Sequence, residues 1–167
     1  MAASWLYIGF GTGKSWKYEE GPFTPLHKPI SQMRLGLIAS SGHYVHGDDP
    51  QPFGIKDMTQ EEAAARIEEF FITEPTLSSI PMNTPRENLR VRHGGYDIRG
   101  VQADFNVALP LDRLQELQEE GFIGELTPNA YSFVGACSQL RLLNHTGSQW
   151  VTKFHQEQVE AVVLVPV

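Results

Sequence analysis

The sequence predicts a single three-layer α/β domain built on a mostly parallel sheet of about four to five strands. Three observations carry this. Short apolar runs recur at residues 34–39, 89–91, 131–134 and 161–167. Stretches with helical spacing separate them. There is no internal repeat and no low-complexity tract, and 167 residues with 41% hydrophobic content suffice for one core. Strand–helix alternation of this kind builds a parallel sheet with right-handed crossovers. The chain divides into an extended N-terminal arm over 1–33 and the α/β domain over 34–167.

The arm is rich in Gly, Pro and aromatics. Trp5, Tyr7 and Gly9 alternate as in a short edge strand. Pro22, Pro25 and Pro29 forbid a helix in GPFTPLHKPI. Trp5, Trp16 and Phe23 are its expected packing anchors. RLGLIA over 34–39 reads as a buried strand that ends in the tight turn Ser40-Ser41-Gly42. Residues 42–57 read as a polar loop. Thr59 and Glu62 form a capping box that opens a helix. Ala63, Ile67, Phe70 and Phe71 supply its buried face, and Pro75 closes it.

Residues 76–88 read as a linker. Leu89 and Val91 open a second strand running into His93-Gly94-Gly95. Phe105, Val107 and Leu109 alternate and are expected to be extended. Pro110 suits a helix first turn; Leu111, Leu114 and Leu117 form the stripe, and Gly121 stops it. Tyr131, Phe133 and Val134 make a third strand closed by Gly135. A last helix covers roughly 147–157, with Trp150, Val151 and Phe154 inward. The apolar run 161–167 reads as a central parallel strand. Together these elements suggest a flavodoxin-like order.

The net charge of −7 excludes general nucleic-acid binding, which needs a basic face. No apolar run reaches the roughly 20 residues of a membrane helix, and the N-terminus lacks signal-peptide character. A cytoplasmic protein is expected. The single cysteine, Cys137, excludes an internal disulfide and a two-cysteine redox centre within these residues. It reads as a small buried hydrophobe.

In an open parallel sheet, ligands bind beyond the carboxyl ends of the strands. Those ends carry Ser40-Ser41-Gly42-His43, His93-Gly94-Gly95-Tyr96 and Gly135. Ser40, Ser41 and Gly42 offer hydroxyls and amides to an anionic group. His43 and His93 suit acid–base or orienting work near neutral pH, and Tyr96 suits donation to a substrate oxygen. Gly94 and Gly95 imply a positive φ or a close approach. Asp97 either orients His93 or caps a turn. Asp104 and Asn106 share a face if their segment is extended, which would brace the His93 loop. No cofactor is expected; His43, His46 and His93 are the residues that would hold a metal.

Five blocks of the sequence, PFTPLHKPISQMRLGLIASSG, IPMNTPRENLRVRHGGYD, ADFNVALPLDRLQELQEEGFIGEL, YSFVG and VEAVVLVPV, together resemble the selenoprotein B family of glycine, betaine, sarcosine and D-proline reductases. The resemblance covers most of the chain. It implies reductive cleavage of a C–N bond in a small amino-acid-type substrate, with a selenol or thiol attacking carbon and partner subunits resolving the intermediate. The family's Cys-x-x-Cys or Cys-x-x-Sec pair follows the strand that matches VVLVPV. Two readings stay open: a fragment of a longer redox protein, or a short relative that uses the His43–His93 pocket without redox chemistry. The leading expectation is an enzyme or enzyme component of this kind. The alternatives are a non-redox lyase or isomerase using the same pocket, and a non-catalytic partner or ligand-binding subunit. A small-molecule substrate and a protein partner or homo-oligomer are expected, since an apolar final strand needs cover at a sheet edge.

Overall fold

The computed structural model describes residues 24–167 and the backbone of two short strands, β1 (Trp5–Ile8) and β2 (Ser15–Tyr18). These two pair antiparallel, so the strand expected near Trp5 is present. Gly9 and the packing roles of Trp5, Trp16 and Phe23 lie outside the described residues. From residue 24 to 29 the chain is not helical, as the prolines require; a single tight turn, Ile30–Gln32, leads to Met33, the first core residue.

Six further strands follow: β3 (Leu35–Ala39), β4 (His43–Val45), β5 (Ser78–Pro81), β6 (Leu89–Val91), β7 (Asn129–Ser132) and β8 (Ala161–Val165). β3, β5, β7 and β8 form the main sheet in the order β5-β7-β3-β8. β3 runs parallel to β7 and β8, while β5 is antiparallel to β7. The sheet is therefore mixed and mostly parallel, and its antiparallel edge departs from an all-parallel flavodoxin-like order. β4 and β6 form a separate antiparallel ribbon.

β3 is the organising strand because both of its faces are covered. Leu35, Leu37 and Ala39 point into a core with Leu109, Leu111, Leu114 and Ile123. On the other face, Gly36 leaves room for Phe154 and Val159, and Tyr131 meets Phe154 edge-on at 5.4 Å. The period of two along a strand thus produces three layers. Leu35, Leu37, Leu109 and Leu111 are at most 1% exposed, and burying each contributes about 2–3 kcal/mol.

Among the described residues, six α-helical segments connect the strands: α1 (Gln60–Ala65), α2 (Ile67–Ile72), α3 (Arg99–Ala103), α4 (Leu111–Glu119), α5 (Gln139–Arg141) and α6 (Gly147–Gln156). The capping box is present in full: Glu62 N–H donates to Thr59 Oγ1, and Thr59 N–H to Glu62 Oε2. The helix breaks at Arg66 into α1 and α2. Ala63 and Phe70 face inward, whereas Phe71 is exposed. α4 starts after Pro110 and ends before Gly121, as its spacing predicts; Leu111 and Leu114 are buried, whereas Leu117, expected in the same stripe, is exposed.

Several expectations are corrected. The 42–57 segment is not all loop, because it contains β4. The 76–88 segment contains β5, the sheet's antiparallel edge. Leu89 and Val91 pair with β4 and not with the main sheet. Phe105–Val107 is a tight turn, since the Asp104 carboxylate accepts the Asn106 amide and bends the backbone there. Among the described residues β8 pairs only with β3, which places it at an edge with Leu164 71% exposed. The last helix is observed, but Val151 faces outward while Trp150 and Phe154 are half-buried.

Candidate functional site

The candidate site lies where β3 and β7 end and the β4–β6 ribbon begins. After Ala39 the chain turns through Ser40, Ser41 and Gly42 directly into β4. Gly42 has φ +77°, and a Cβ there would sit 2.0 Å from the Arg92 carbonyl oxygen. Only glycine satisfies both conditions. Gly42 N–H donates to Phe133 O at 2.9 Å, and Arg92 N–H donates to Gly42 O at 3.2 Å. One residue thus fastens the ribbon to the sheet.

This seam buries a cluster of polar groups. Ser41 Oγ lies 2.7 Å from His43 Nδ1 and 3.3 Å from Ser132 Oγ, and His43 N–H donates to Ser132 Oγ at 2.9 Å. Tyr96 donates its hydroxyl hydrogen to Ser41 O at 2.9 Å. The Tyr96 and His93 rings are 4.7 Å apart. Gln60 clamps the His93 peptide: its Oε1 accepts the N–H at 2.8 Å and its Nε2 donates to the carbonyl at 2.9 Å. His93 Nδ1 accepts the Gly95 N–H at 2.9 Å.

The two imidazoles share one property. Nε2 of His43 and Nε2 of His93 are both buried without a hydrogen-bond partner. Burial lowers both rings to about 4, so both are uncharged at neutral pH. Burial also pushes the Tyr96 hydroxyl up to about 12. The cluster therefore presents neutral polar atoms.

Beneath it sits an ion pair that no local signal in the sequence announces. Arg92 Nη1 and Nη2 donate to the two Asp49 carboxylate oxygens at 3.0 and 2.9 Å. The side chains are 2% and 0% exposed. Asp49 also accepts the amides of Gln51 and Met58, and the Arg92 guanidinium lies 4.3 Å from the centre of the Tyr44 ring. Arg92 directly precedes His93, so this pair anchors the strand that delivers the second imidazole.

The glycine/sarcosine/betaine reductase selenoprotein B family model matches residues 22–167. The chain belongs to this family. The selenoprotein B assignment is accompanied by curated relatives. The D-proline reductase subunit gamma of Acetoanaerobium sticklandii is 27% identical over 143 residues, covering 85% of this chain and 52% of that protein. The sarcosine reductase complex component B subunit beta of Peptoclostridium acidaminophilum is 28% identical over 147 residues, covering 88% of this chain and 31% of that protein. A glycine reductase complex component B subunit gamma from Symbiobacterium thermophilum is 25% identical over the same share of both chains. The chain thus spans about half, or about a third, of the relatives it matches. No solved structure matches it.

For this selenoprotein B family chain, the structure brings Ser41, His43, His93 and Tyr96 together and adds Ser132 and Gln60. Ser132 carries no motif, but it ends a strand whose carboxyl end was already a place to look. Ser40 faces elsewhere; its Oγ accepts the Val167 amide at 2.9 Å. The amides of Ser40 and Gly42 are taken by Val165 O and Phe133 O, so the turn offers no free amide cradle from these two. Gly94 and Gly95 are required for space: Cβ atoms there would meet Ile67 at 2.8 Å and the His93 ring at 2.9 Å.

Asp97 does not orient His93. It caps α3 by accepting the Arg99 amide and pairs with the Arg99 guanidinium, which holds its carboxyl near 2. Asn106 bridges Asp104 and Asp112, and Asp112 is held by Arg86. Arg113 pairs with Glu116 and not with Asp104. His46 is exposed and faces Asp57 at 3.6 Å, away from the buried imidazole environment. Among the described residues, no group of three or more His, Cys, Asp or Glu is placed to hold a metal ion. Burial pushes the Cys137 thiol up to about 11. No helix among the described residues is long and apolar enough to cross a membrane.

Proposed function

We propose that this chain forms the substrate-receiving part of a reductase component B-like subunit, acting on a small amino-acid-type molecule together with partner subunits. The observation that carries the proposal is the pair of unpartnered imidazole Nε2 atoms buried where β3 and β7 end. Buried polar atoms in folded proteins are nearly always satisfied, so two in one cluster mark a place for a polar guest. The relatives, reductase subunits for D-proline, sarcosine and glycine, support an amino-acid guest. The single thiol, Cys137, is held protonated and is assigned no part in the chemistry.

Titration calorimetry of the purified chain with glycine, sarcosine, betaine and D-proline tests this. At least one is expected to bind. His43→Ala and His93→Ala are each expected to weaken binding at least about tenfold, or 1.4 kcal/mol, while circular dichroism stays native. Binding by none of the four, or unchanged binding in both variants, sinks the proposal. A second reading, a binding subunit whose partners perform all bond-breaking, is favoured by the neutrality of the cluster. Unchanged turnover of the assembled complex carrying His93→Ala would select it.

A further inference from the structure

Hydrogen counting assigns a tautomer to each buried imidazole. His93 Nδ1 lies 2.9 Å from the Gly95 amide nitrogen, which can only donate. Nδ1 is therefore the acceptor, and the neutral ring carries its proton on Nε2. For His43 the count passes through two serines. Ser132 Oγ accepts from His43 N–H, and its own hydrogen has one acceptor among the described residues, Ser41 Oγ at 3.3 Å. Ser41 then gives its hydrogen to His43 Nδ1 at 2.7 Å. The reverse direction would aim two donors at Ser132 and leave the Ser132 hydrogen without an acceptor at a residue with 0% exposure. His43 is therefore also protonated at Nε2.

We propose that His43 and His93 each present a fixed Nε2–H donor to an oxygen acceptor, a carboxylate in the first instance, and that they act neither as bases nor as metal ligands at Nε2. Ser41, Ser132 and the Gly95 amide are positioning groups that set the tautomers. The proposal rests on the substrate-receiving reading above and adds the direction of the hydrogen bonds. A base or a metal ligand needs a lone pair. In both rings the only ring-plane lone pair is on Nδ1 and is already engaged. Nearby charge does not compete for the guest, because the Arg92 guanidinium is paired with Asp49. The neutrality of both rings at pH 7 agrees with a donor role.

Long-range proton–nitrogen NMR on the nitrogen-15-labelled full chain reads each tautomer directly and needs no substitution. Both rings are expected to show a bare Nδ1 and a protonated Nε2. Acetate, the simplest carboxylate, is expected to shift both Nε2–H signals. Ser41→Ala removes the donor to His43 Nδ1 and is expected to release His43 to a mixture of tautomers while His93 is unchanged; an unchanged His43 overturns the role of Ser41. An Nδ1–H pattern at either ring in the unsubstituted protein overturns the proposal, whatever the variant does. So does acetate that leaves both signals in place. If acetate shifts both rings but no amino acid binds, the donor pair stands and the amino-acid reading falls. If amino acids bind while both rings stay unmoved, the donor pair falls and the amino-acid reading stands.

Discussion

Replacing Asp49 by alanine removes one half of a fully buried ion pair and leaves the other half charged. The Asp49 carboxylate holds four hydrogen bonds, two from Arg92 and one each from the amides of Gln51 and Met58. Those amides shape a loop in which Gln51, Phe53 and Asp57 all take positive φ, so the carboxylate also offsets backbone strain. Removing one partner of such a pair costs about 3–5 kcal/mol, since the abandoned charge stays desolvated. For a chain of this size that lowers the melting temperature by roughly 6–20 °C. Urea denaturation followed by far-UV circular dichroism measures it. The double variant Asp49→Leu/Arg92→Met removes the orphaned charge and is expected to recover at least about 2 kcal/mol of the loss. An Asp49→Ala cost below about 1 kcal/mol, or a double variant no better than the single, would refute the reasoning.

Two further outcomes follow from burial. Each imidazole sits at about 4 in the folded chain against about 6.5 in the unfolded one, so the unfolded state takes up protons first as pH falls. The stability these rings contribute is complete above pH 6.5 and drains as pH drops toward 4, amounting to about 2 kcal/mol per ring by pH 5. Thermal melts between about pH 7 and pH 5 should show this slope, and His43→Gln should remove roughly half of it; a flat profile in the native chain contradicts the burial argument. Cys137, raised from 9.0 to about 11 and 9% exposed, should react with iodoacetamide at neutral pH about 100-fold more slowly than free cysteine. Equal rates would show that the thiol is not held as described.

The parts legible in the sequence were those decided by local pattern. LGLIA at 35–39 has no polar position to place outward, so it had to be a doubly covered strand. The Thr59–Glu62 box and the Pro110 start are chemical signals confined to one helical turn. The parts that escaped were decided over distance or by very few residues. SSIP at 78–81 carries no periodicity, and its strand exists because β7 offers an edge. Phe105, Val107 and Leu109 alternate, yet the Asp104 side chain captures the Asn106 amide and leaves Val107 68% exposed. At the site, the Ser, His and Tyr residues were visible as types near strand ends. Ser132 and the Asp49–Arg92 pair were not, because partners separated by 89 and 43 positions leave no mark on either neighbourhood.

The register of the central strand has a consequence for how the chain is made. Ile38 pairs with Tyr131, and Leu35 with Ala161. The apolar strand Leu35–Ala39 therefore leaves the ribosome long before either neighbour exists. At roughly 5–20 residues per second, it waits on the order of ten seconds for its second partner. Through that interval a flat apolar strand has both edges open to any other nascent chain. The pairing that makes β3 the most protected element of the finished protein makes it the most vulnerable one during synthesis.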